Sequence, residues 1–383
     1  MTNRRKFLGI LGGGFILAAG GATLWASTRD PSGARAPWQA AGQDGERDAR
    51  RRALSFAVLA PSPHNRQPWL VDLLVEDEIT LFCDADRRLP HTDPYDRQIT
   101  IGLGCFLELL VQAAAEDGYR ADIVLFPEGE PQPRLDGRPV ARVRMVADGS
   151  VRPDPLSAHV LSRRSNKEPY DLQRPVPPAA LEAIAAAAQR GAVAHTGEAE
   201  RVATLRDEAW AALYTEITHR ETMQESVDLM RIGRAEIEAN PDGIDIDGVV
   251  VEGLEQLGLF RREDLLDPSS SAFAQQLPML RRPIETAMAF LWLTTPGNAR
   301  VAQIGAGRDF VRLNLAATGL GVAMHPLSQA LQEFPEMRPH FASIRQALGV
   351  APEDTLQMLV RLGYGPDTGA GPRWPYETRI RSA

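Results

Sequence analysis

Two stretches of this 383-residue chain decide its fold: residues 97–118, RQITIGLGCFLELLVQAAAEDG, and residues 300–321, RVAQIGAGRDFVRLNLAATGLG. Shifted by 203 positions, they are identical at 8 of 22 positions, where a chain rich in Ala, Gly and Leu would match at about two by chance. The identical pairs are Arg97/Arg300, Ile101/Ile304, Gly102/Gly305, Gly104/Gly307, Leu110/Leu313, Ala113/Ala316, Ala114/Ala317 and Gly118/Gly321. Each stretch has Gly-x-Gly, an apolar helical run and a glycine where a C-cap belongs. The pattern predicts two long helices in an internally duplicated chain.

Short strand and helix patterns surround these two helices. Strands are predicted at 69–75, 78–83, 121–126, 140–147, 288–295 and 355–362. Helices are predicted at 48–60, 102–117, 179–190, 199–219 and 303–319. Because strands and helices interleave, we expect an α+β fold of two related sheet-and-helix halves, residues 50–150 and 151–383.

Two further segments have a different composition. Residues 27–49 are rich in Ser, Gly, Pro and charge, which predicts a linker. Residues 240–283 contain Asn240-Pro241, Asp267-Pro268 and three consecutive serines without a regular pattern. A segment of that length is more often functional than part of a core, so we interpret it as a lid-like excursion.

Composition narrows the class of protein. With 44% hydrophobic and 24% charged residues, the chain is neither disordered nor a multi-span membrane protein. Its net charge of −8 argues against general nucleic-acid binding. Lys6 and Lys167 are the only lysines among 42 basic residues, and the others are arginines. An arginine is therefore weak evidence of an anion-binding site unless its position supports one. Cys83 and Cys105 lie among apolar residues and are predicted to be buried, with a single disulfide as the alternative.

The N-terminus has the organisation of an export signal. Arg4, Arg5 and Lys6 precede an apolar, Gly- and Ala-rich run over residues 7–26. The paired arginines, followed by Phe7 and Leu8, resemble a twin-arginine signal, while a membrane anchor is the alternative for residues 1–26. We therefore expect passage through the twin-arginine translocon to the periplasm or to the outer face of the cytoplasmic membrane. That route carries folded proteins, which favours a cofactor bound before export.

Several common catalytic motifs are missing from the sequence. Gly305-Ala306-Gly307 lacks the third glycine of a dinucleotide-binding loop. The seven histidines form no HExxH pair, and there is no G-x-S-x-G elbow. Hydrolase and metalloenzyme functions are disfavoured, and no metal ligand is predicted.

Two polar segments remain as candidate sites. Residues 60–69 read Ala-Pro-Ser-Pro-His-Asn-Arg-Gln-Pro-Trp, in which two prolines stiffen a loop that presents Ser62, His64, Asn65 and Gln67. Residues 163–167 read Arg-Arg-Ser-Asn-Lys, whose cations and hydroxyl suit a phosphate. The alternatives are a capping turn before a core tryptophan and a solvated basic turn.

Taken together, the two segments resemble those of the nitroreductase family of FMN flavoproteins. The family's Pro-Ser-x-x-Asn-x-Gln-Pro-Trp segment is matched by Pro61, Ser62, Asn65, Gln67, Pro68 and Trp69, and its Arg-x-Ser-x-Lys/Arg segment by Arg163, Ser165 and Lys167. Arg164 and Asn166 lie within the second segment and are further candidates. In ordinary family members the basic segment comes before the Pro-Ser segment. The reversed order in this chain resembles the Acg-like branch, in which one chain looks like a fused dimer. That resemblance implies a pseudo-dimer with one complete FMN site, drawn from both halves, and one degenerate site.

Two later segments fit the family by position. Met324-His325-Pro326-Leu327-Ser328-Gln329 follows the second duplicated helix. The resemblance implies that Leu327, Ser328 and Gln329 offer backbone amides to the flavin, although the family commonly has an acidic residue and glycine at 328–329. Arg373, within Gly371-Pro372-Arg373-Trp374-Pro375, matches a phosphate-closing cation, with a simple tail cation as the alternative. Arg308 is a weaker candidate because it is predicted near a helix N-terminus.

The resemblance implies an FMN-dependent oxidoreductase that transfers two electrons to a small acceptor such as a nitroaromatic or quinone. The electron donor, NAD(P)H or a membrane quinol, stays open, as does the choice between monomer and dimer. No catalytic side chain is assigned, since the cofactor would carry the chemistry. A non-catalytic flavin-binding or flavin-sequestering protein with a lid-covered pocket is the alternative, and a protein without flavin is a third.

Overall fold

A computed structural model describes residues 29–43 and 48–381. The predicted signal or anchor at residues 1–26 lies outside the described residues. Within them, the helices are α1 Ser32–Ala40, α2 Ala49–Ala57, α3 Arg97–Glu116, α4 Pro178–Ala185, α5 Ala199–Thr218, α6 Arg220–Asp228, α7 Gly233–Ala239, α8 Val249–Gln256, α9 Ser271–Glu285, α10 Arg300–Gly319 and α11 Arg338–Leu348. The strands are β1 Trp69–Asp72, β2 Glu78–Cys83, β3 Tyr119–Leu125, β4 Ala141–Ala147, β5 Ala192–Thr196, β6 Met230–Ile232, β7 Ile244–Ile246, β8 Ala289–Pro296, β9 Ala323–Pro326 and β10 Asp354–Gly363.

The chain builds two four-stranded antiparallel sheets with the same strand order. The first runs β1-β2-β4-β3, with α3 connecting β2 to β3. The second runs β5-β8-β10-β9, with α10 connecting β8 to β9. Each predicted half therefore contains one four-stranded sheet with a long helix between its second and third strands in sequence, and the second half adds a two-stranded parallel sheet, β6-β7. The α+β prediction is confirmed. Close to the C-terminus, residues 376–380 lie beside the first sheet, where Ile380 forms a β-bridge with Val71 of β1.

The two long helices cross where both carry glycine. A Cβ atom at Gly104 would lie 2.3 Å from the Ile304 carbonyl oxygen, and one at Gly307 would lie 1.9 Å from the Ile101 carbonyl oxygen. Both distances are far shorter than any van der Waals contact, so only glycine permits this approach. The contacts are reciprocal between positions 203 residues apart, as in a two-fold interface.

Helix α3 is long and apolar enough to cross a membrane. Most of it is buried inside the molecule, against α10, α2 and the first sheet. Its apolar character is therefore explained by its place in the core. Cys83 and Cys105 are both buried and unbridged, as predicted.

Residues 27–49 are not simply a linker. The described part of this segment forms α1, whose Ala34 and Trp38 are buried. The helix was not predicted because it contains a proline, Pro37, which usually disfavours a helix interior. Burial of Trp38 holds it against the rest of the protein.

Residues 240–283 contain more regular structure than their pattern suggested. They include β7, α8 and most of α9. Phe273 and Leu265 pack with Ile217 and Met223 in a separate small core. Burial of these apolar residues stabilises helical segments despite Pro278 and Pro283 inside α9.

Arg308 does not lie at a helix N-terminus. It sits in the middle of α10 because that helix begins at Arg300. Its Nε donates to Glu108 of α3 at 2.8 Å. This ion pair makes Arg308 part of the interface between the halves and removes it from the phosphate candidates.

Candidate functional site

A cavity of about 660 Å³ lies where the two halves meet. Ten of the thirteen predicted site residues line it: Pro61, Ser62, Asn65, Arg163, Arg164, Ser165, Lys167, Ser328, Gln329 and Arg373. Further walls come from α1, the first turns of α3, residues 243–247 and the loop 366–371. Segments separated by up to 338 positions, from Arg35 to Arg373, therefore converge on one space.

The loop before β1 is held in an unusual backbone conformation. His64, Asn65 and Gln67 all have positive φ, near 50°, although none is glycine. Ser62 Oγ accepts a hydrogen bond from the Gln67 backbone N–H at 2.9 Å, which closes the loop. Backbone strain of this kind clusters at functional sites, where the surrounding structure holds it in place.

Three predicted residues lie behind the cavity wall. Gln67 is buried, and its side chain donates to the Pro241 carbonyl and accepts from the Trp374 backbone N–H. The Asn166 amide donates to the Pro366 carbonyl. The Leu327 N–H donates to the Leu359 carbonyl, so it does not face the cavity as an unpaired donor. These side chains and this amide join segments of the protein and do not line the cavity.

Three arginines, Arg163, Arg164 and Arg373, lie together at one end of the cavity, and Lys167 also lines the cavity. Arg163 donates to Asn314 Oδ1 at 2.9 Å, and Arg373 donates to Asn65 Oδ1 at 2.7 Å. Within the described residues, no carboxylate lies within 4 Å of Arg163, Arg164, Lys167 or Arg373. The Nε atoms of Arg163 and Arg373 are buried, and neither has a hydrogen-bond partner among the described residues.

Burial of these guanidinium groups disfavours their charge. It lowers the pKa of Arg163 to about 10 and, with help from Arg163 and Arg164, the pKa of Arg373 to about 9. Buried charges are costly unless an opposite charge compensates them. Asp245, which also lines the cavity, opposes this shift at Arg373 without forming an ion pair within 4 Å. The orphaned donors and the remaining positive charge together fit a dianion such as a phosphate at this end.

His325 is a site residue that the sequence reasoning did not assign. Its Nδ1 accepts a hydrogen bond from Arg361 Nε at 3.0 Å, and burial holds its pKa well below the usual value. Because arginine only donates, the neutral ring must carry its proton on Nε2. His325 lines the cavity and thus offers a defined donor there. Its place in the quoted 324–329 segment was the available signal.

A second unassigned pair joins a lining residue of the cavity, His64, to a buried carboxyl group, Glu216. His64 Nε2 lies 3.9 Å from Glu216 Oε1, near the end of α5. Burial raises the pKa of Glu216 to about 7, with a contribution from Glu225, and burial lowers the pKa of His64 to about 4. Both groups are therefore largely neutral at pH 6. Nothing near Glu216 in the sequence distinguishes it from the many other acidic residues, so only the fold identifies it.

Glu216→Gln is expected to change how stability depends on pH. The folded pKa of Glu216 is about 7 against an ordinary 4.5, so its contribution is complete below pH 4.5 and is lost as pH rises through 7. The loss amounts to about 3 kcal/mol. The variant should therefore lose less free energy of unfolding between pH 5 and 8 than the wild type in urea titrations. Glu200→Gln, at an exposed position of α5, is the control and should follow the wild type.

Comparisons with known proteins agree with the fold. The sequence model of the nitroreductase family matches residues 160–364. The Mycobacterium tuberculosis protein Rv3131, named as an NAD(P)H nitroreductase, is 27% identical over 318 residues, which cover 82% of this chain and 85% of that protein. The acg protein of the same organism, also named as an NAD(P)H nitroreductase, is 32% identical over 125 residues, or 32% of this chain and 36% of that protein.

Solved structures show a partial likeness. The FMN-dependent nitroreductase NfnB from Mycobacterium smegmatis, in complex with NADPH, is 20% identical, with a TM-score of 0.37 over 60% of this chain and 98% of that one. A nitroreductase with bound FMN from Bacteroides fragilis is 16% identical, with a TM-score of 0.32 over 56% of this chain and 91% of that one. The family match covers more than half of the sequence, and the protein, with its nitroreductase-like α+β fold, therefore belongs to the nitroreductase family.

Proposed function

We propose that this protein is an FMN-dependent oxidoreductase that reduces a small acceptor such as a nitroaromatic or a quinone by two electrons. The observation that carries the proposal is the cationic end of the cavity, where Arg163, Arg164 and Arg373 have no carboxylate within 4 Å among the described residues. Such a cluster suits the phosphate of FMN, and membership of the family supports a flavin above other phosphorylated ligands.

The residues of the cavity divide by the part of FMN they would hold. The four cations and the Ser165 hydroxyl supply donors for the phosphate. In the segment 324–329, the backbone N–H groups of Ser328 and Gln329 donate to no partner within the described residues. Together with the Nε2 proton of His325, they offer hydrogen-bond donors that can stabilise negative charge on a bound ring. When bound, FMN supplies the electron transfer itself.

We also propose that the two halves form a fused pseudo-dimer with one cofactor site. The equal strand order of the two sheets and the reciprocal glycine contact support this arrangement. Cys105, which lines the cavity, corresponds at the 203-residue offset to Arg308. Arg308 pairs with Glu108, which also contacts Arg190 and Arg312. This ion cluster takes the place of a second cavity, which would leave one FMN per chain.

The electron donor is proposed to be NAD(P)H, as the names of the Mycobacterium tuberculosis relatives suggest. Export remains a separate proposal, which rests on the paired arginines and apolar run of residues 1–26. Fractionation of cells that express the full chain tests it, since periplasmic or membrane-associated protein is expected. Recovery only from the cytoplasm would contradict export and leave the cofactor proposal unaffected.

An absorption spectrum of the purified protein tests the function. A flavin band at about 450 nm, bleached by dithionite and by NADPH and restored by a quinone, is expected. Bleaching by dithionite alone would favour the flavin-sequestering alternative. Residues 243–247 and α1 form part of the cavity wall, which is the kind of cover that this alternative requires. A folded protein that binds no FMN after reconstitution would contradict the proposal.

Lys167→Ala is expected to weaken FMN binding without harming the fold. Lys167 lines the cavity and makes no ion pair within the described residues, so its loss removes a phosphate contact and little else. A lost charged hydrogen bond costs about 1.5–3 kcal/mol, or roughly a 10- to 150-fold rise in the FMN Kd. Titration followed by flavin fluorescence measures the change. Arg152→Ala, at an exposed position, is the control, and an equal effect of both substitutions would remove Lys167 from the site.

A further inference from the structure

The N-terminal helix α1 reaches the cationic end of the cavity. The ring of Trp38 lies beneath three guanidinium groups, with centroid distances of 5.7 Å to Arg163, 4.9 Å to Arg164 and 5.3 Å to Arg373. Each distance is within the range of a cation–π interaction. The Trp38 ring therefore lies within cation–π distance of three of the four cations that line the cavity.

Trp38 is itself firmly held. Only 7% of the residue is exposed, and its indole N–H donates to the Gly371 carbonyl at 2.8 Å. The Arg373 backbone N–H donates to the Ala34 carbonyl at 2.8 Å, which ties α1 to the C-terminal segment. Arg35 forms an ion pair with Asp247, so α1 is also fixed to the segment after β7. The ring thus has a defined position relative to Arg373.

Three neighbouring guanidinium groups repel one another, and the described residues supply them with no carboxylate within 4 Å. The negative face of the indole attracts each of them and opposes their separation. A ring in this place keeps the donors converged before an anion arrives. Preorganisation of this kind increases affinity by reducing the ordering cost of binding.

We propose that Trp38 is a positioning residue of the phosphate site and that it makes the cavity prefer a phosphorylated flavin over an unphosphorylated one. The inference rests on the proposed FMN function. Trp38 lies outside residues 160–364, which match the family model. Residues 29–43 thereby become part of the cofactor site.

Two substitutions that both leave a smaller apolar side chain at this buried position separate the effect of the ring from that of packing. Trp38→Phe keeps an aromatic face, whereas Trp38→Leu does not, and both lose the hydrogen bond to Gly371. Fluorescence titration with FMN and with riboflavin, which lacks the phosphate, compares the two ligands in the purified protein. Circular dichroism and thermal unfolding establish that each variant is folded. Gln39→Ala, at the exposed next position of α1, is the matched control.

Trp38→Leu should raise the FMN Kd roughly 3- to 30-fold and leave the riboflavin Kd within about twofold, whereas Trp38→Phe should recover most of the FMN affinity. Equal weakening of both ligands, or equal behaviour of the Phe and Leu variants, would overturn the positioning role. Wild-type protein that bound riboflavin as tightly as FMN would also overturn it. A wild type that bound neither flavin would contradict the proposed function itself.

Discussion

Gly307→Ala is expected to destabilise the protein by about 3 kcal/mol or more, since overpacking a rigid contact costs up to this amount and occasionally exceeds it. The new methyl group would lie 1.9 Å from the Ile101 carbonyl oxygen and 2.9 Å from Gly104 Cα. Both atoms belong to the backbone of α3, so no side chain can move aside. The two helices would have to separate, which would open the core that joins the halves.

The same motif provides the control. Gly305 lies two residues earlier in α10, and a Cβ there would meet only the Arg190 side chain, at 3.6 and 3.8 Å. Gly305→Ala should be neutral or stabilise the protein by up to about 1 kcal/mol, because alanine favours the helix more than glycine does. Urea unfolding of the three proteins measures the difference. Equal free energies of unfolding for the two variants would show that the helix crossing is not rigid.

Glu108→Gln is expected to cost about 3–5 kcal/mol, the loss seen when one partner of a buried ion pair is removed. Glu108 is 2% exposed and accepts hydrogen bonds from Arg308 at 2.8 Å and from Arg312 at 2.9 Å. Arg190 lies 3.6 Å away. The substitution keeps the shape of the side chain but leaves three arginines around a neutral group, so the effect reports the charge.

The dependence of this effect on pH has a definite sign. Burial alone would raise the pKa of Glu108, but Arg308, Arg312 and Arg190 outweigh it and hold the pKa below 4.5. Its stabilisation is therefore present above pH 4.5 and is lost as pH falls through the lower folded pKa. Unfolding curves at pH 7 and at acid pH should bring variant and wild type closer together in acid. Glu128→Gln, in an exposed pair with Arg142, should change stability by less than about 1 kcal/mol at both pH values.

Local sequence patterns were sufficient for the elements of the two sheets that have a clear period. Predicted strands at 78–83 and 140–147 agree with β2 and β4 to within a residue, and helix 199–219 agrees with α5. The short β9, Ala323–Pro326, and the strand β5 were not predicted. Both are four or five residues long, and β9 ends in proline, so neither carries enough alternation to be recognised.

The paired long helices, the polar loop before β1 and the basic segment at 163–167 could be predicted from local periodicity and residue type. Which groups are exposed to the cavity depends on the packing of the folded chain. That packing turned Gln67 away from the cavity, paired Arg308 with Glu108, and brought Trp38 to Arg373 across more than 300 residues. Contacts over such separations and the desolvation of buried charges arise from packing of the whole chain, which no local pattern encodes.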